Sequence, residues 1–111
     1  MSESDSSPGP DIGQIVLVRK GREYGQLAVI IQVLDERFVL IADGEKRKFD
    51  RPKKKNIQHL ERYNYISPEV RNSIKDTGRV SNNKLRMALW KFAQEVLEVP
   101  KKGDGLLDGE R

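Results

Sequence analysis

Short apolar runs, separated by turns that contain glycine or charged residues, occupy the first half of the chain. These runs are rich in Val and Ile, whose branched Cβ suits a pleated, extended backbone better than a helix. Each run is also shorter than a typical globular helix, and turn-forming residues bound it on both sides. The pattern predicts three β-strands, over Gln14–Val18, residues 26–34 and Phe38–Ala42.

The pair Asp43-Gly44 directly follows the third predicted strand and is the strongest local hairpin signal in the sequence. A two-residue type I′ turn requires positive φ at both positions, which Asp and Gly tolerate. We therefore expect a fourth strand over residues 46–49, in a register that places Phe38 opposite Phe49. Such an aromatic pair would fix the alignment of the two strands.

A fifth short strand is predicted over residues 57–60. Five short strands within about 50 residues indicate a small, strongly bent barrel, since a sandwich usually needs more strands. Closure would also remove the exposed edges of a very apolar sheet. We place this barrel at residues 12–62.

The second half of the chain has helical signals, and we expect a helical extension over residues 63–99. Ser67 followed by Pro and Glu is typical of a helix start, Gly78 of a helix end, and Ser81 of a second start. Apolar residues then recur at steps of three and four, which is one face of a helix. This first stripe consists of Leu85, Leu89, Phe92, Val96 and Val99, and a second stripe beside it of Met87, Trp90 and Leu97.

The two stripes together cover more of the helix perimeter than one buried face requires. The second helix should therefore dock on the barrel, on the first helix or on another chain. A protein partner bound through the part of the helix that carries Trp90 and Phe92 is thus one expected interaction.

The ends of the chain have a different composition. Residues 1–11 are rich in Ser, acidic residues, Pro and Gly, and we expect a disordered acidic tail there. Residues 100–111 are rich in Gly and charge, which predicts a flexible tail. No secretion signal or membrane-spanning run is recognisable, so we expect a cytoplasmic protein without a membrane partner.

Charge is distributed unevenly along the 111 residues, whose formal net charge is +4. Residues 46–65 alone contain eight Lys or Arg residues against two Asp or Glu residues. Such a patch attracts polyanions by its summed potential. RNA is therefore the partner class that composition favours, although a solvated charged surface is the alternative.

Residues 14–26, QIVLVRKGREYGQ, resemble the KOW motif, a strand, glycine-bearing loop and strand of ribosomal proteins and bacterial transcription elongation factors. The continuation resembles the KOW barrel of large-subunit ribosomal proteins of archaea and eukaryotes. It contains VLIADG at residues 39–44, RPKKKN at residues 51–56 and HL at residues 59–60. The resemblance implies an SH3-like β-barrel that binds ribosomal RNA.

The C-terminal half is similar to the KOW domain-containing RNA-binding proteins of Gram-positive bacteria. Their pattern appears as YISPEVRNSI at residues 65–74, TGRV at 77–80, KGD at 102–104 and DGER at 108–111. The implied fold class is mainly β with an α extension, a small SH3-like five-stranded barrel followed by two C-terminal helices. Because KOW barrels bind RNA, DNA-bound machinery and proteins, the resemblance leaves the partner open.

Two groups of side chains are candidates for RNA contact. The loop of residues 19–25 has glycines that let backbone approach a phosphate, and Tyr24 is suited to stack on an unpaired base unless it packs on the barrel. The basic run of residues 46–55 is suited to bind phosphates. The candidate residues are Arg19, Lys20, Arg22, Tyr24, Lys46, Arg47, Lys48, Arg51, Lys53, Lys54 and Lys55.

Catalytic and metal chemistry have little support in the sequence. Cysteine is absent, and His59 is the single histidine, so the usual nitrogen and sulfur ligand sets for a metal cannot form. No phosphate-binding glycine fingerprint or nucleophile with a neighbouring base is recognisable. We therefore expect no enzyme activity, catalytic residue, metal or cofactor.

The sequence predicts a non-catalytic, ribosome-associated protein of translation that contacts structured RNA, ribosomal RNA first, through backbone phosphates. The alternative is a protein-binding adaptor of the translation or transcription machinery.

Overall fold

The computed structural model describes residues 9–97, in which five strands precede two α-helices. The predictions for residues 1–8 and 98–111, including Val99, lie outside the described residues. The predicted fold class, mainly β with a helical extension, is confirmed. The elements are β1 Gln14–Val18, β2 Leu27–Val33, β3 Phe38–Ala42, β4 Lys53–Asn56, β5 Leu60–Ile66, α1 Pro68–Thr77 and α2 Asn82–Glu95.

The five strands form one antiparallel sheet in the order β4-β3-β2-β1-β5. Its two edge strands are joined by a 3₁₀ turn of three residues, Ile57–His59. In a flat sheet the two edges would lie about 19 Å apart, four strand spacings of about 4.8 Å. The chain from Asn56 to Leu60 spans at most about 14 Å. The sheet must therefore curl into a barrel-like shape.

Side chains on both faces of the sheet are buried. The inner face encloses one apolar cluster, made of Val16, Val18, Ala28, Ile30, Val39, Ile41 and Leu60. The outer face contributes Ile15, Val29, Ile31 and Ala42 to a second cluster, which the helices complete. Strands covered on both faces need apolar residues at consecutive positions, which explains why β1 and β2 appear in the sequence as continuous apolar runs.

Both helices begin, and α1 ends, where their sequence signals predict, whereas α2 ends at Glu95, before the predicted limit at residue 99. The Ser67 hydroxyl accepts a hydrogen bond from the Val70 N–H, and the Ser81 hydroxyl accepts one from the Lys84 N–H. Gly78 ends α1 with φ +78°. Side-chain caps of this kind satisfy N–H groups that have no partner within a helix, so the local sequence fixes the helix limits.

The helices pack on the outer face of the sheet through a buried aromatic residue. Phe92 of α2 is fully buried, with its ring centroid 4.7 Å from that of Tyr63 and 5.2 Å from that of Tyr65. Leu85 and Ala88 of α2 are buried together with Phe92. The first apolar stripe therefore docks on the barrel along most of its length, although its last described member, Val96, is exposed.

The predicted hairpin at Asp43-Gly44 and the predicted strand at residues 46–49 are wrong. The Asp43 carboxylate accepts hydrogen bonds from the N–H groups of Glu45 and Arg47, each at 2.8 Å. The Arg47 carbonyl accepts hydrogen bonds from the backbone N–H groups of Asp43 and Gly44. Short polar side chains that bond nearby backbone compete with strand pairing, and here they build a wider loop over residues 43–52.

The fourth strand instead forms at β4, where Phe38 lies opposite Asn56. Phe49, the predicted partner of Phe38, packs in the helix-side cluster, and its N–H donates to the Asn82 side chain at 2.8 Å. The fifth strand is also misplaced in the prediction. Residues 57–59 form the 3₁₀ turn. The strand β5 begins at Leu60 and continues to Ile66, beyond residue 62, where the predicted barrel ends.

Candidate nucleic-acid interface

Two basic loops lie side by side at one end of the barrel. Loop A is residues 19–25, between β1 and β2, and loop B is residues 43–52, between β3 and β4. The Arg47 guanidinium in loop B donates to the Glu23 carboxylate in loop A, with Nη2 and Oε2 3.2 Å apart. This contact joins the two predicted groups of RNA-binding residues.

Lys55, in β4, anchors loop A. Its ammonium donates to the Lys20 carbonyl at 2.9 Å and lies 3.6 Å from Glu23 Oε1. Only 8% of the residue is exposed. At Gly21, φ is +97° and an added Cβ would lie 2.7 Å from the Lys55 ammonium, so loop A needs a glycine there. Lys55 is thus an internal anchor and does not present its charge on the surface.

The Glu23 carboxylate contacts both Arg47 of loop B and Lys55 of β4. Burial by itself would raise the pKa of its carboxyl, but the opposing contributions are larger together. They are the hydrogen bonds from Arg47 and from its own backbone N–H, and the charges of Lys55 and Lys53. The net result is a lowered pKa. The ionised carboxylate therefore stabilises the folded arrangement of the two loops.

This arrangement predicts a pH-dependent effect of Glu23→Gln on stability. A lowered folded-state pKa means that the carboxylate stabilises the protein fully above its ordinary value of 4.5, and that this contribution is lost as the pH falls below that value. In urea unfolding, the free-energy difference between wild type and variant should be largest above about pH 5 and shrink towards pH 3.

The comparison must use the difference between the two proteins, because other groups titrate too. Backbone hydrogen bonds from Arg37 and Phe38 lower the pKa of Asp35, which loses its own contribution in the same acidic range in both proteins. A difference that is the same at pH 7 and pH 3 would mean that the charge of Glu23 does not hold the loops.

Most of the remaining predicted residues present their side chains to solvent. Tyr24 is 63% exposed, so it does not pack on the barrel. Arg19 is exposed but forms an ion pair with Glu61 at 2.8 Å, and the exposed Lys54 ammonium lies 4.6 Å from the centre of the Phe38 ring. Six basic side chains have no acidic partner among residues 9–97: Lys20, Arg22, Lys46, Lys48, Arg51 and the half-buried Lys53.

Sequence reasoning missed the residues that hold the loops. Glu23 is the one acidic residue of loop A, a signal that could have identified it as the partner of the basic run. The side-chain oxygen of Asn82, at the start of α2, accepts a hydrogen bond from the Phe49 N–H and so joins loop B to the helices. Nothing local in the sequence indicates this second contact, because the two residues are 33 positions apart.

Residues 9–97 contain no group of three or more His, Asp or Glu side chains that could hold a metal ion. Within the same range, no helix is both long and apolar enough to cross a membrane.

Comparison with known proteins gives an extensive match as well as partial ones. The chain is 52% identical over 71 residues to "Putative ribosome-binding protein YbzG" of Bacillus subtilis, a match that spans 64% of this chain and 96% of the relative. It is 35% identical over 54 residues to large ribosomal subunit protein eL14 of Desulfurococcus amylolyticus. It is also 39% identical over 51 residues to the eL14 of Pyrobaculum arsenaticum.

The two eL14 matches span about half of this chain, 49% and 46%, and 56% and 50% of those ribosomal proteins. No protein-family model matches the sequence. The predicted resemblance to large-subunit ribosomal proteins is thereby confirmed, whereas the KOW assignment stays a prediction.

Proposed function

The chain belongs to the same family as the Bacillus subtilis protein YbzG, and on this premise we propose that it binds the ribosome, contacting ribosomal RNA through loops A and B. The name of that relative states ribosome binding, and eL14 is a ribosomal protein. A protein with this role acts in the cytoplasm, as part of translation, without catalysing a reaction. We also assign residues 14–26 to a KOW motif.

One observation carries the proposal. Glu23 fastens loop A to loop B, while six basic side chains of these loops and of β4 have no acidic partner among residues 9–97. Positive charges held on fixed backbone are well suited to phosphates, which carry most of the affinity for nucleic acid. Lys55 is excluded from this surface because its ammonium is buried, and Arg47 serves mainly to hold Glu23.

Phosphate contacts provide affinity and orientation, but they read no sequence. Recognition of structured RNA uses unpaired bases in loops and bulges, which stack on aromatic side chains. Tyr24 is the exposed aromatic residue of loop A, two positions after Arg22. We therefore propose that Tyr24 stacks on an unpaired base while the surrounding cations bind phosphates.

Tyr24→Ala is expected to weaken binding to ribosomal RNA by about 5- to 150-fold, because stacking on one base contributes roughly 1–3 kcal/mol. Tyr24→Phe should bind within about twofold of wild type, since the ring and not the hydroxyl stacks. Fluorescence titration with an RNA stem-loop and with a fully paired duplex of equal length measures this. An equal loss on the duplex would contradict stacking on an unpaired base.

Co-sedimentation with purified Bacillus subtilis ribosomal subunits, followed by ultraviolet crosslinking, tests the proposed function. The chain should move with a subunit at about 0.05 M salt, leave it at about 0.5 M salt, and crosslink to ribosomal RNA through loops A and B. Crosslinks to ribosomal proteins alone would favour the second candidate function, a protein-binding adaptor. The exposed Trp90 is the specific observation in favour of that candidate.

A further inference from the structure

The outward side of α2 carries a second surface that the RNA-binding loops do not use. Asn83, Arg86, Met87 and Trp90 line a hollow of about 390 Å³, which we call the α2 outer face. Trp90 is 53% exposed and Met87 is 46% exposed. Docking of α2 on the barrel leaves both side chains on the solvent side, so the internal packing of the protein does not explain them.

Single exposed apolar residues are common on protein surfaces, but here they are grouped. Met87 and Trp90 are three positions apart on one helix and border the same hollow, and such pairs are neighbours on a helix surface. Val96 and Leu97, just past the end of α2, are exposed as well. Trp, Met and Arg are enriched at protein–protein interfaces, and Trp is prominent among the residues that dominate binding energy.

The charge around the hollow defines the chemistry of a partner. From Asn82 to Gln94 the helix contains no Asp or Glu. It contains three basic residues, of which Lys91 pairs with Glu69 at 3.0 Å. Arg86 lines the hollow and forms no ion pair with an acidic residue among residues 9–97. An acidic segment complements this side of the helix.

Two features favour an acidic protein over RNA here. Of the four residues that line the hollow only Arg86 is charged, so the hollow lacks the group of cations that binds a run of phosphates. The Gly44 carbonyl at 2.8 Å and the Asn83 side chain at 3.2 Å accept hydrogen bonds from the Arg86 guanidinium and hold it in place. Met87 and the neighbouring Leu97 are aliphatic, and such side chains gain most by burial against other apolar side chains. RNA offers mainly phosphates, sugars and flat bases.

We propose that the α2 outer face docks an acidic protein segment, which places an apolar side chain between Met87 and Trp90. On the ribosome this segment would belong to a ribosomal protein. The choice of the ribosome rests on the proposed function, but the inference does not require RNA contact by loops A and B. The chain would then hold the ribosome by two separate surfaces.

The test compares two probes, intact ribosomal subunits and protein-free ribosomal RNA extracted from the same subunits. Trp90→Ala should weaken binding to intact subunits by about 10- to 30-fold, the effect of an interface residue that contributes strongly, and binding to the extracted RNA by less than about twofold. Tyr24→Ala is the matched control, an exposed aromatic residue on the other surface. It should lose affinity for both probes.

Met87→Asp is the second variant, because it places a negative charge in the same hollow without removing the indole. It should repel an acidic segment and reproduce the selective loss. Thermal unfolding checks both variants, and each should melt close to wild type because the replaced side chain is exposed.

Three results would overturn the inference. Equal losses on both probes would make Trp90 an RNA contact, and unchanged affinity for intact subunits in both variants would show that the face is unused. A dimer of the wild type in sedimentation equilibrium, abolished in Trp90→Ala, would show that a second copy covers the face. If the wild type binds neither probe, the proposed function itself fails. That outcome is distinguishable from the three above, because it is seen in the wild type without any substitution.

Discussion

Replacing Lys46, Lys48 and Arg51 together with Gln is expected to lower the affinity for protein-free ribosomal RNA by about 100- to 500-fold at 0.1 M salt. Each phosphate contact that is lost removes about 0.7–0.9 from the slope of log K against log salt, which is nearly one decade of affinity at 0.1 M salt. The three side chains are exposed on loop B. Equilibrium titration of labelled RNA at several salt concentrations measures both the affinity and the slope.

A second triple variant controls for the loss of net charge. Lys75, Arg79 and Lys84 are also exposed basic residues without an acidic partner among residues 9–97, but they lie on or between the helices. Their replacement by Gln removes the same charge, and we expect less than about a threefold loss of affinity. Equal losses in the two triple variants would mean that net charge, and not loop B, governs binding.

Gly44→Ala is expected to lower the free energy of unfolding by about 3–4 kcal/mol. Two costs combine at this position. Gly44 has φ +83°, and an added Cβ would overlap the backbone carbonyl oxygen of Asn82 at the start of α2. Because the overlapped oxygen belongs to the backbone of α2, it cannot turn aside as a side chain could. Loop B would have to move away from the helix, and RNA affinity should fall with stability.

Gly78→Ala is the matched control for this prediction. Gly78 has nearly the same backbone conformation, φ +78°, but an added Cβ would meet no atom within 4 Å. Gly78→Ala should therefore lower the free energy of unfolding only by the cost of the positive φ, about 1–2 kcal/mol. Urea unfolding of both variants gives the two values. If they are equal, loop B does not rest on α2 as closely as the structure indicates.

Asp43-Gly44 illustrates why the sequence predicted the first three strands but not the connection to the fourth. The pair is a strong hairpin signal by itself. In the structure Asp43 bonds the N–H groups of Glu45 and Arg47, and Gly44 packs against α2. The glycine is required by a helix that begins 38 positions later in the chain, and local sequence patterns contain no information about such a contact.

Lys55 shows the same limit for the candidate site. The basic run identified the correct region, and most of its side chains are exposed as expected. Within β4, however, alternate side chains point to opposite faces of the sheet, and the face occupied by Lys55 is the one covered by loop A. Composition could not separate this buried anchor from Lys54, its exposed neighbour.

The helices give a more favourable case. Ser67, Gly78 and Ser81 predicted the helix limits because capping is a local property. The periodicity of the apolar residues predicted a docked face, and Phe92 is buried in it. The second stripe could not be assigned from periodicity, since Met87 and Trp90 would look the same whether they packed on the barrel or faced a partner.

The salt dependence of wild-type binding to protein-free ribosomal RNA tests RNA binding by loops A and B most directly. With about five phosphate contacts, log K should fall against log salt with a slope between about −3.5 and −4.5 from 0.05 to 0.3 M salt. In the loop B triple variant the slope should be smaller in magnitude by about two to three. A wild-type slope near zero, or a triple variant with an unchanged slope, would contradict phosphate recognition by these loops.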